Sequence, residues 1–269
     1  MNFTKMHGIG NDFVMVNAER ETLPADLAAL SQATCDRKFG IGADGLILAE
    51  RGTDAPFRMR MFNPDGSESE MCGNGIRCFA QFVRDQGMTD ATDIPVETGA
   101  GLLNLHIRED GQVRVDMGLA RLPRAEIGMT TGDPDPFINA PIGGFQGTAV
   151  SMGNPHVVIF TENAAGIDLA QIGPRIERDP LFPKRVNVHF VQVLGRGELI
   201  QRTWERGAGI TLACGTGACA CGVAAFLNGH TDRNVLIHLP GGDLEIQYDE
   251  DGRVWMTGPA QTVYTGTWA

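Results

Sequence analysis

Alternating apolar and polar residues predict short strands along most of this chain. In the first half these segments are "NDFVMVNA" (11–18), "LILAE" (46–50), "FRMRMFN" (57–63), "LLNLHI" (102–107) and "VRVDM" (113–117). In the second half they are "HVVIF" (156–160), "HFVQV" (189–193), "LIQRTWE" (199–205), "VLIHL" (235–239), "LEIQY" (244–248) and "RVWM" (253–256). Segments of this length and composition are typical of partly or fully buried strands. The Asp-Gly pairs at 110–111 and 251–252 predict tight hairpin turns.

Two helices are predicted in each half. One covers about 25–37 in the first half and about 168–178 in the second. The other begins at a cysteine, in "CGNGIRCFAQFVRDQG" (72–87) and "CGTGACACGVAAFLNG" (214–229), and each of these segments ends on a plausible C-cap glycine. Many strands around one apolar helix per half predict an α+β unit, with a mixed, barrel-like strand layer wrapped around that central helix.

The two halves repeat each other at a spacing near 142 residues. Cys72 and Cys214 both begin a Cys-Gly-x-Gly motif. Further matched segments are "GNDFVMV" (10–16) with "GNPHVVI" (153–159), "RMFNPDG" (60–66) with "RTWERGA" (202–208), and "REDGQVRVDM" (108–117) with "DEDGRVWMTG" (249–258). Such self-similarity indicates a duplicated structural unit. We expect two similar domains related by a pseudo-two-fold axis, with the active site in the cleft between them. The first domain is predicted to contain 1–116 with 259–269, and the second 117–258.

Composition excludes several classes of protein. The chain has 269 residues, of which 42% are hydrophobic and 20% charged, as in globular domains. No apolar run approaches the roughly 18–20 residues of a membrane span. A net charge of −11 without a basic face argues against binding to nucleic acid or to anionic membranes. The N-terminus lacks the pattern of a signal peptide, so a cytoplasmic protein is expected.

Six cysteines and three lysines limit the possible cofactors. A disulfide framework is not expected in a cytosolic chain of this size. The sequence contains no Cys-x-x-Cys pair and no histidines at ligand spacing, so it does not predict a metal site. None of the lysines lies in the context of a pyridoxal phosphate site. We therefore expect no metal and no cofactor.

The paired thiols suggest acid–base chemistry at a carbon atom. A helix start has unpaired N–H groups, which lower the pKa of a thiol from about 8.5 toward neutrality and can bind a carboxylate. Two thiols on opposite faces of one substrate would invert a stereocentre, because one removes a proton and the other supplies one. A single cysteine in such a place could be only a small buried hydrophobe. The matched duplication of Cys72 and Cys214 favours the catalytic interpretation.

Four segments resemble the signatures of the diaminopimelate epimerase family: "MHGIGNDF" (6–13), "NPDGSESEMCGNGIR" (63–77), "MGNPH" (152–156) and "ERGAGITLACGTGACA" (205–220). The resemblance extends over essentially the whole chain. It implies a cofactor-independent isomerase built from two similar domains that acts as a homodimer. Members of the family interconvert LL- and meso-diaminopimelate for the synthesis of lysine and peptidoglycan.

The resemblance also implies roles for individual residues. Cys72 and Cys214 correspond to the catalytic acid and base. Backbone groups that hold a carboxylate correspond to Gly73, Asn74, Gly215 and Thr216, and the substrate contacts correspond to Asn11, Asn63, Asn154, Asn187, Glu205 and Arg206. His156 and Glu205 resemble residues that adjust the thiol pKa values, and Tyr264 resembles a dimer contact. Gly45 stands where some members carry a substrate-binding glutamine, so another residue or water must replace that side chain.

Other interpretations remain open at this stage. A related two-thiol racemase of proline, hydroxyproline or histidine would share the fold and the mechanism. A thiol redox protein would use Cys72 and Cys214 as a reversible disulfide, although the missing Cys-x-x-Cys motif disfavours it, and a non-catalytic binding module fits two intact thiols poorly. Singly, Arg206 could form a surface ion pair, Asn63 could be a turn residue, and His156 could be a satisfied core histidine.

Overall fold

The computed structural model describes residues 1–130 and 133–269. Its strands are β1 (Asn2–Gly8), β2 (Asn11–Asn17), β3 (Gly45–Arg51), β4 (Phe57–Phe62), β5 (Glu68–Ser69), β6 (Asp93–Thr98), β7 (Gly101–Ile107), β8 (Val113–Leu119), β9 (Ala140–Ile142), β10 (Phe145–Ser151), β11 (Pro155–Phe160), β12 (Asn187–Gly195), β13 (Glu198–Glu205), β14 (Gly209–Thr211), β15 (Asn234–Leu239), β16 (Gly242–Tyr248), β17 (Arg253–Gly258) and β18 (Gln261–Thr267). Its helices are α1 (Leu27–Cys35), α2 (Gly73–Asp85), α3 (Arg124–Ile127), α4 (Leu169–Glu177) and α5 (Gly215–Leu227).

The chain forms two compact units, the first of Met1–Asp116 with Thr257–Ala269 and the second of Met117–Met256. In the first unit the strand order is β18-β1-β2-β3-β4-β6-β7-β8, with β5 paired to β4. In the second it is β9-β10-β11-β12-β13-β15-β16, with β14 paired to β13. Most pairs are antiparallel, and the parallel pairs are β2–β3 and β4–β6 in one unit, β11–β12 and β13–β15 in the other. The pairings from β2 to β7 therefore recur from β11 to β16.

The strand registers make individual positions of the two units comparable. Phe13 faces Gly45 across β2 and β3, and His156 faces Asn187 across β11 and β12. The same comparison continues along the next antiparallel pair of each unit. The equivalent positions are Phe13 and His156, Gly45 and Asn187, Ile47 and His189, Met59 and Gln201, and Met61 and Thr203.

In both units the strand layer packs around the helix that follows the cysteine. Helix α2 contacts β1, β2, β3 and β7 of its own unit, and it buries Ile76, Phe79, Phe82 and Val83. Helix α5 contacts β10 to β13, β15 and β16. Most of α5 is Gly, Ala or Cys, and small side chains allow strands to approach it closely from several sides. This arrangement confirms the predicted α+β unit with a central helix.

Every strand predicted from the sequence is present. Helices α1 and α4 lie inside the predicted ranges, while α2 and α5 begin one residue after the cysteines, which are their N-caps. The helix-ending glycines Gly87 and Gly229 have φ of 64° and 73°, the left-handed values of a C-cap. The sequence did not predict α3 or the strands β1, β5, β6, β9, β10, β14 and β18. Several of these strands mix polar residues with few apolar ones, which weakens their period-two signal. No helix in the described ranges is long and apolar enough to cross a membrane.

Candidate active site

The two cysteines have nearly the same backbone geometry. Cys72 has φ −137° and ψ 119°, and Cys214 has φ −138° and ψ 102°, so both are extended residues directly before a helix. Neither side chain caps its helix through a hydrogen bond. The first N–H groups of α2 and α5 can therefore bind an anionic ligand, although in α5 the N–H of Gly217 also interacts with the Cys214 thiol. We call the residues around Cys72 the first half-site and those around Cys214 the second half-site.

Three of the predicted residues meet in the first half-site. The sulfur of Cys72 lies 3.6 Å from Oδ1 of Asn11, and Nδ2 of Asn74 donates to the same oxygen at 3.2 Å. Nδ2 of Asn11 in turn donates to Oδ2 of Asp44 at 2.7 Å. Because Asp44 accepts from the amide nitrogen, the amide oxygen of Asn11 must face the thiol. Asp44 is thus a supporting residue that the sequence analysis missed, although it stands next to Gly45.

A charged network holds Asp44 in place. Arg37 bridges Oδ1 of Asp12 and Oδ1 of Asp44, each at 2.7 Å, and Lys5 lies 2.7 Å from Asp12. Burial would raise the pKa of Asp12, but the hydrogen bonds from Arg37 and Lys5 outweigh burial and lower this pKa to about 2. Asp12 therefore stays ionised at neutral pH, and the network fixes the orientation of Asn11.

Arg77 is fully buried beneath the start of α2. Its Nη1 donates to the carbonyl of Gly73 at 3.1 Å and to Oδ1 of Asn74 at 3.2 Å, while its Nε donates to the carbonyl of Pro259 at 3.1 Å. A buried guanidinium needs such partners. Arg77 thereby positions Asn74 and places a positive charge below the proposed carboxylate cradle.

Two first-unit predictions have a different structural setting. Nδ2 of Asn63 donates to Oγ of Ser67 at 3.0 Å, and its backbone closes the turn before β5. These are the contacts of a turn residue, and no hydrogen bond in the described chain joins Asn63 to Cys72. A Cβ atom at Gly45 would lie 3.0 Å from both the carbonyl oxygen of Phe62 and Cε of Met61. The strand pairing leaves little room for a side chain at Gly45.

The second half-site encloses its thiol more tightly. Cys214 is 4% exposed, and Oγ1 of Thr216 lies 3.8 Å from its sulfur. Burial raises the pKa of the Cys214 thiol well above its ordinary value, and the neighbouring Glu205 carboxylate raises it further. The expectation that the helix start lowers this pKa is wrong for Cys214, because desolvation and a like charge outweigh the helix N–H groups. At neutral pH the thiol carries its proton.

A continuous hydrogen-bond chain leads away from this half-site. Oδ1 of Asn154 lies 2.9 Å from Nε2 of His156, and Nδ1 of His156 lies 2.9 Å from Nε2 of His189. Nδ1 of His189 then lies 3.0 Å from Oγ1 of Thr203, which also accepts from Gln201 at 2.9 Å. At the other end, Nδ2 of Asn154 lies 3.4 Å from Oγ1 of Thr216. We call these residues, from Gln201 to Asn154, the histidine chain.

The two rings in the histidine chain are neutral, which gives the chain a direction. Burial lowers the pKa of His189 to about 3, and burial and then the neighbouring ring lower the pKa of His156 well below its ordinary value. Each ring therefore has one N–H. Because the oxygen of Asn154 accepts, His156 donates from Nε2 and accepts from His189 at Nδ1, and His189 accepts from Thr203. The chain consequently turns the NH2 group of Asn154 toward Thr216.

The first half-site has no such chain. At the positions equivalent to His156, His189, Gln201 and Thr203, the first unit has Phe13, Ile47, Met59 and Met61, all buried. Buried polar groups cost free energy unless they are hydrogen-bonded, whereas an apolar core meets no such requirement. A buried chain of two histidines beside only one of the two duplicated thiols therefore indicates a functional difference between the half-sites. In the sequence the aligned segments 10–16 and 153–159 already set Phe13 against His156, whereas the other equivalent positions follow from the strand registers.

Arg206 is exposed beside the second half-site. Its Nη1 donates to the carbonyl of Lys184 at 3.2 Å, and its backbone N–H donates to Oδ1 of Asn187 at 2.9 Å. Asn187 is buried and also donates to the carbonyl of Pro155 at 3.0 Å, so its amide is used in holding the loop of Arg206. No ion pair of Arg206 occurs among residues 1–130 and 133–269, so the guanidinium keeps donors for a ligand.

The remaining predictions concern the dimer contact and the packing of the other cysteines. Tyr264 is 45% exposed on β18 and packs edge-on against Phe3, with ring centroids 6.0 Å apart. The other four cysteines, Cys35, Cys78, Cys219 and Cys221, are buried thiols. Burial raises the pKa of Cys78 to about 12, which suits a packing role.

Comparison with known proteins identifies the family. The family model described as diaminopimelate epimerase matches residues 3–123 and 148–263. The chain belongs to the diaminopimelate epimerase family. Its relatives include the diaminopimelate epimerases of Moorella thermoacetica, 52% identical over 99% of this chain and 98% of the relative, and of Desulforudis audaxviator, 51% identical over 100% and 99%. Diaminopimelate epimerase 1 of Nostoc is 50% identical over 99% of both chains.

Solved structures place this diaminopimelate epimerase family member in a wider fold group. A phenazine biosynthesis protein of the PhzF family from Bacillus anthracis superposes with a TM-score of 0.70 at 15% identity, covering 99% of this chain and 98% of that one. A hydroxyproline epimerase from Agrobacterium vitis gives a TM-score of 0.66 at 16% identity, covering 99% and 90%. At these identities the likeness shows the fold alone, and it confirms the predicted fold class.

Proposed function

We propose that this protein is an isomerase that interconverts LL- and meso-diaminopimelate without pyridoxal phosphate, in the biosynthesis of lysine and peptidoglycan. The observation that carries the proposal is the duplicated half-site in a member of this family. Two thiols, each at the start of a buried helix with the same backbone geometry, suit a reaction that needs a proton-transferring group on each face of one carbon.

In the proposed mechanism one substrate molecule binds to both half-sites. The α-carboxylate accepts hydrogen bonds from the first N–H groups of α2 and α5, where the helix dipoles stabilise the charge that develops as the α-proton leaves. In one direction Cys72 removes this proton as a thiolate, while Cys214 donates its own proton to the opposite face. The raised pKa of Cys214 suits the role of donor. In the reverse direction the two thiols exchange roles.

The polar residues around the thiols suit the rest of an amino-acid substrate. Arg206 has a planar guanidinium that can bind a carboxylate through two hydrogen bonds. Asn154 presents its NH2 group near Thr216, and Asn11 presents its oxygen near Cys72. Asn187 contributes by holding Arg206. These groups fit a substrate with a second polar end, such as diaminopimelate.

We further propose a cytoplasmic homodimer that binds no nucleic acid and no membrane. The exposed side chains Val263 (55%) and Tyr264 (45%) on β18 offer an apolar surface for a second copy. A reducing compartment would keep the six free thiols reduced. The net charge of −11 suits neither nucleic acid nor an anionic membrane.

Incubation with LL-diaminopimelate in D2O tests the activity. We expect deuterium at the α-carbon and a change of optical rotation toward the equilibrium mixture, after dialysis against a chelator and with no added cofactor. Proline and hydroxyproline serve as control substrates. No exchange with diaminopimelate, or an activity that appears only with added pyridoxal phosphate, would contradict the proposal.

Variants of each thiol test the two-base mechanism. Cys72→Ala and Cys214→Ala should each nearly abolish epimerisation. A diaminopimelate analogue with a leaving group on its β-carbon needs proton removal but no reprotonation. Each variant should then eliminate from one epimer only, and the two variants from opposite epimers. If one variant processes both epimers and the other neither, a single base serves both faces and the mechanism is wrong.

A further inference from the structure

The second half-site contains three metal-ligating side chains with converging donor atoms. One ring nitrogen of His156, one of His189 and Sγ of Cys214 all lie within 4.8 Å of one another. The three residues are 33 and 25 positions apart along the chain, and the parallel pairing of β11 with β12 brings the two histidines together. His156 and His189 are fully buried, and Cys214 is 4% exposed.

The spacing of the two ring nitrogens is close to that in a tetrahedral zinc site. Zinc binds nitrogen at about 2.0–2.1 Å and thiolate sulfur at about 2.3 Å, so two bound nitrogens lie roughly 3.3 Å apart. The two ring nitrogens are 2.9 Å apart. To admit the ion the two nitrogens must separate by roughly 0.4 Å, and both rings must turn so that their lone pairs point at the ion and not at each other. Two imidazoles and one thiolate are ligands that Zn²⁺ prefers.

The histidine chain also supplies the outer partners that zinc-bound histidines need. A ligating histidine donates its other ring N–H to a nearby acceptor, which fixes the ring orientation. Nε2 of His156 already lies 2.9 Å from Oδ1 of Asn154, and Nδ1 of His189 lies 3.0 Å from Oγ1 of Thr203. His189 would move its proton from Nε2 to Nδ1, and the hydroxyl of Thr203 can change from donor to acceptor.

We propose that His156, His189 and Cys214 form an inhibitory Zn²⁺-binding site with an open fourth position. As the sulfur–zinc bond forms, the thiol proton leaves to the solvent, and both imidazoles bind through their lone pairs. No electron transfer is involved. Zinc at this site occupies the sulfur that donates the proton in the proposed epimerisation. That consequence rests on the proposed function, whereas the binding of the metal does not.

The first half-site provides an internal control. Cys72 has the same backbone geometry as Cys214, but Phe13 and Ile47 take the places of the two histidines. The second glycine of each motif packs against the corresponding residue. A Cβ atom added at Gly75 would lie 2.8 Å from Cδ1 of Ile47, and one added at Gly217 would lie 2.3 Å from Cε1 of His189. Zinc binding should therefore depend on Cys214 and not on Cys72.

Cobalt and zinc titrations of the reduced, chelator-treated protein test the site. We expect one Co²⁺ per chain with tetrahedral d–d bands and a sulfur-to-cobalt charge-transfer band, displaced by Zn²⁺, in the wild type and in Cys72→Ser. Cys214→Ser should lose the charge-transfer band. His189→Ile, which copies the first unit, should weaken Zn²⁺ binding by more than about 100-fold, since even outer-shell changes cost about 10–100-fold.

A second measurement covers the case in which a histidine variant fails to fold. In the wild type, Zn²⁺ should protect Cys214 from iodoacetamide, as mapped by peptide mass spectrometry, and leave the alkylation of Cys72 unchanged. Absence of a bound ion in the wild type, a charge-transfer band that survives in Cys214→Ser, or equal protection of Cys72 would overturn the site.

The activity measurement separates this inference from the proposed function. Zn²⁺ should inhibit epimerisation of diaminopimelate, and a chelator should restore it. If Zn²⁺ binds with the expected spectrum and epimerisation continues unchanged, the inhibitory part of the inference is wrong although the ion site stands. If no epimerisation occurs at all, the proposed function fails, and the cobalt spectrum still decides the metal site.

Discussion

Individual residues show that the two duplicated thiols have become different. Cys214 lies beside Glu205 and near the histidine chain, whereas Cys72 lies beside the amide oxygen of Asn11. Both face the start of a helix, but burial and the carboxylate raise the pKa of Cys214. The environment beyond the motif therefore decides whether Cys214 holds its proton.

At the same scale, Arg206 provides a direct test of substrate binding. Arg206→Lys keeps the positive charge and loses the planar pair of donors. If this guanidinium binds a substrate carboxylate, kcat/KM for diaminopimelate should fall about 10-fold to 100-fold, equivalent to the roughly 1.5–3 kcal/mol of a charged hydrogen bond. Steady-state kinetics measures the change.

Urea unfolding is the control for this variant. Arg206 is exposed, so the free energy of unfolding should stay within about 0.5 kcal/mol of the wild type. An unchanged kcat/KM in Arg206→Lys would exclude the guanidinium from substrate binding.

At the scale of elements, the glycines at the helix starts determine how closely each helix approaches its strands. A Cβ at Gly217 would lie 2.3 Å from Cε1 of His189 and 2.9 Å from Sγ of Cys214. Gly217→Ala should lower the free energy of unfolding by about 1–3 kcal/mol, because an extra methyl group overpacks the core, and should reduce activity. Urea unfolding and initial rates measure both effects.

Gly75→Ala is the matched comparison in the first unit. Its Cβ would lie 2.8 Å from the terminal methyl group of Ile47, which can rotate away. Alanine also gains up to about 1 kcal/mol over glycine within a helix. The change in stability should therefore be smaller than for Gly217→Ala, and an equal or larger loss would show that His189 does not limit the approach of α5.

The strand pair β12–β13 offers a second comparison between the units. Oε1 of Gln201 is buried and has no hydrogen-bond partner in the described ranges, while its Nε2 donates to Thr203. Gln201→Met, which copies Met59, should change the free energy of unfolding by less than about 1 kcal/mol or raise it. The reverse change, Met59→Gln, buries an amide in apolar surroundings and should cost about 1–3 kcal/mol.

Urea unfolding of the two variants decides the point. A large loss in Gln201→Met would mean that the histidine chain stabilises the fold. The expected result means that the chain is maintained for the chemistry of the second half-site at no benefit to stability.

For the whole molecule, the neutral buried histidines predict a stability that depends on pH. The folded pKa of His189 is about 3, below the 6.5 of an unfolded histidine, so acid protonates the unfolded chain first. Stability is full above pH 6.5 and declines as the pH falls toward 3. Between pH 7 and pH 5 the loss from His189 should be about 2 kcal/mol, and His156 should add to it.

Urea unfolding at pH 7 and pH 5 measures this loss of stability. His189→Ile should remove the part of the loss that His189 contributes. His238 acts in the opposite sense, because Glu198 and Asp243 raise its pKa, and its contribution is present below pH 6.5 and lost as the pH rises. Asp12, with a pKa of about 2, changes little in this window. If the free energy of unfolding is the same at both pH values in the wild type and in the variant, His156 and His189 are not neutral buried histidines.

The sequence by itself determined the family and the local elements with a clear apolar pattern, but not α3 or the strands β1, β5, β6, β9, β10, β14 and β18. Every segment that the periodicity of apolar residues predicts as a strand is a strand in the structure. The Cys-Gly-x-Gly motif predicts the helix starts at Gly73 and Gly215 to within one residue. These features depend on interactions between residues close together in the chain, such as N-terminal N–H groups, C-cap glycines and hairpin turns. The repeat spacing likewise needs no tertiary information.

Only the tertiary structure decided how the half-sites differ. The parallel pairing of β11 and β12 places His156 beside His189 across 33 residues of chain, and Asp44 reaches Asn11 through the corresponding pair β2 and β3. Burial then determines the protonation of Cys214 and of both rings. Desolvation depends on every neighbour that excludes water from a group, and those neighbours come from strands and helices distant in sequence.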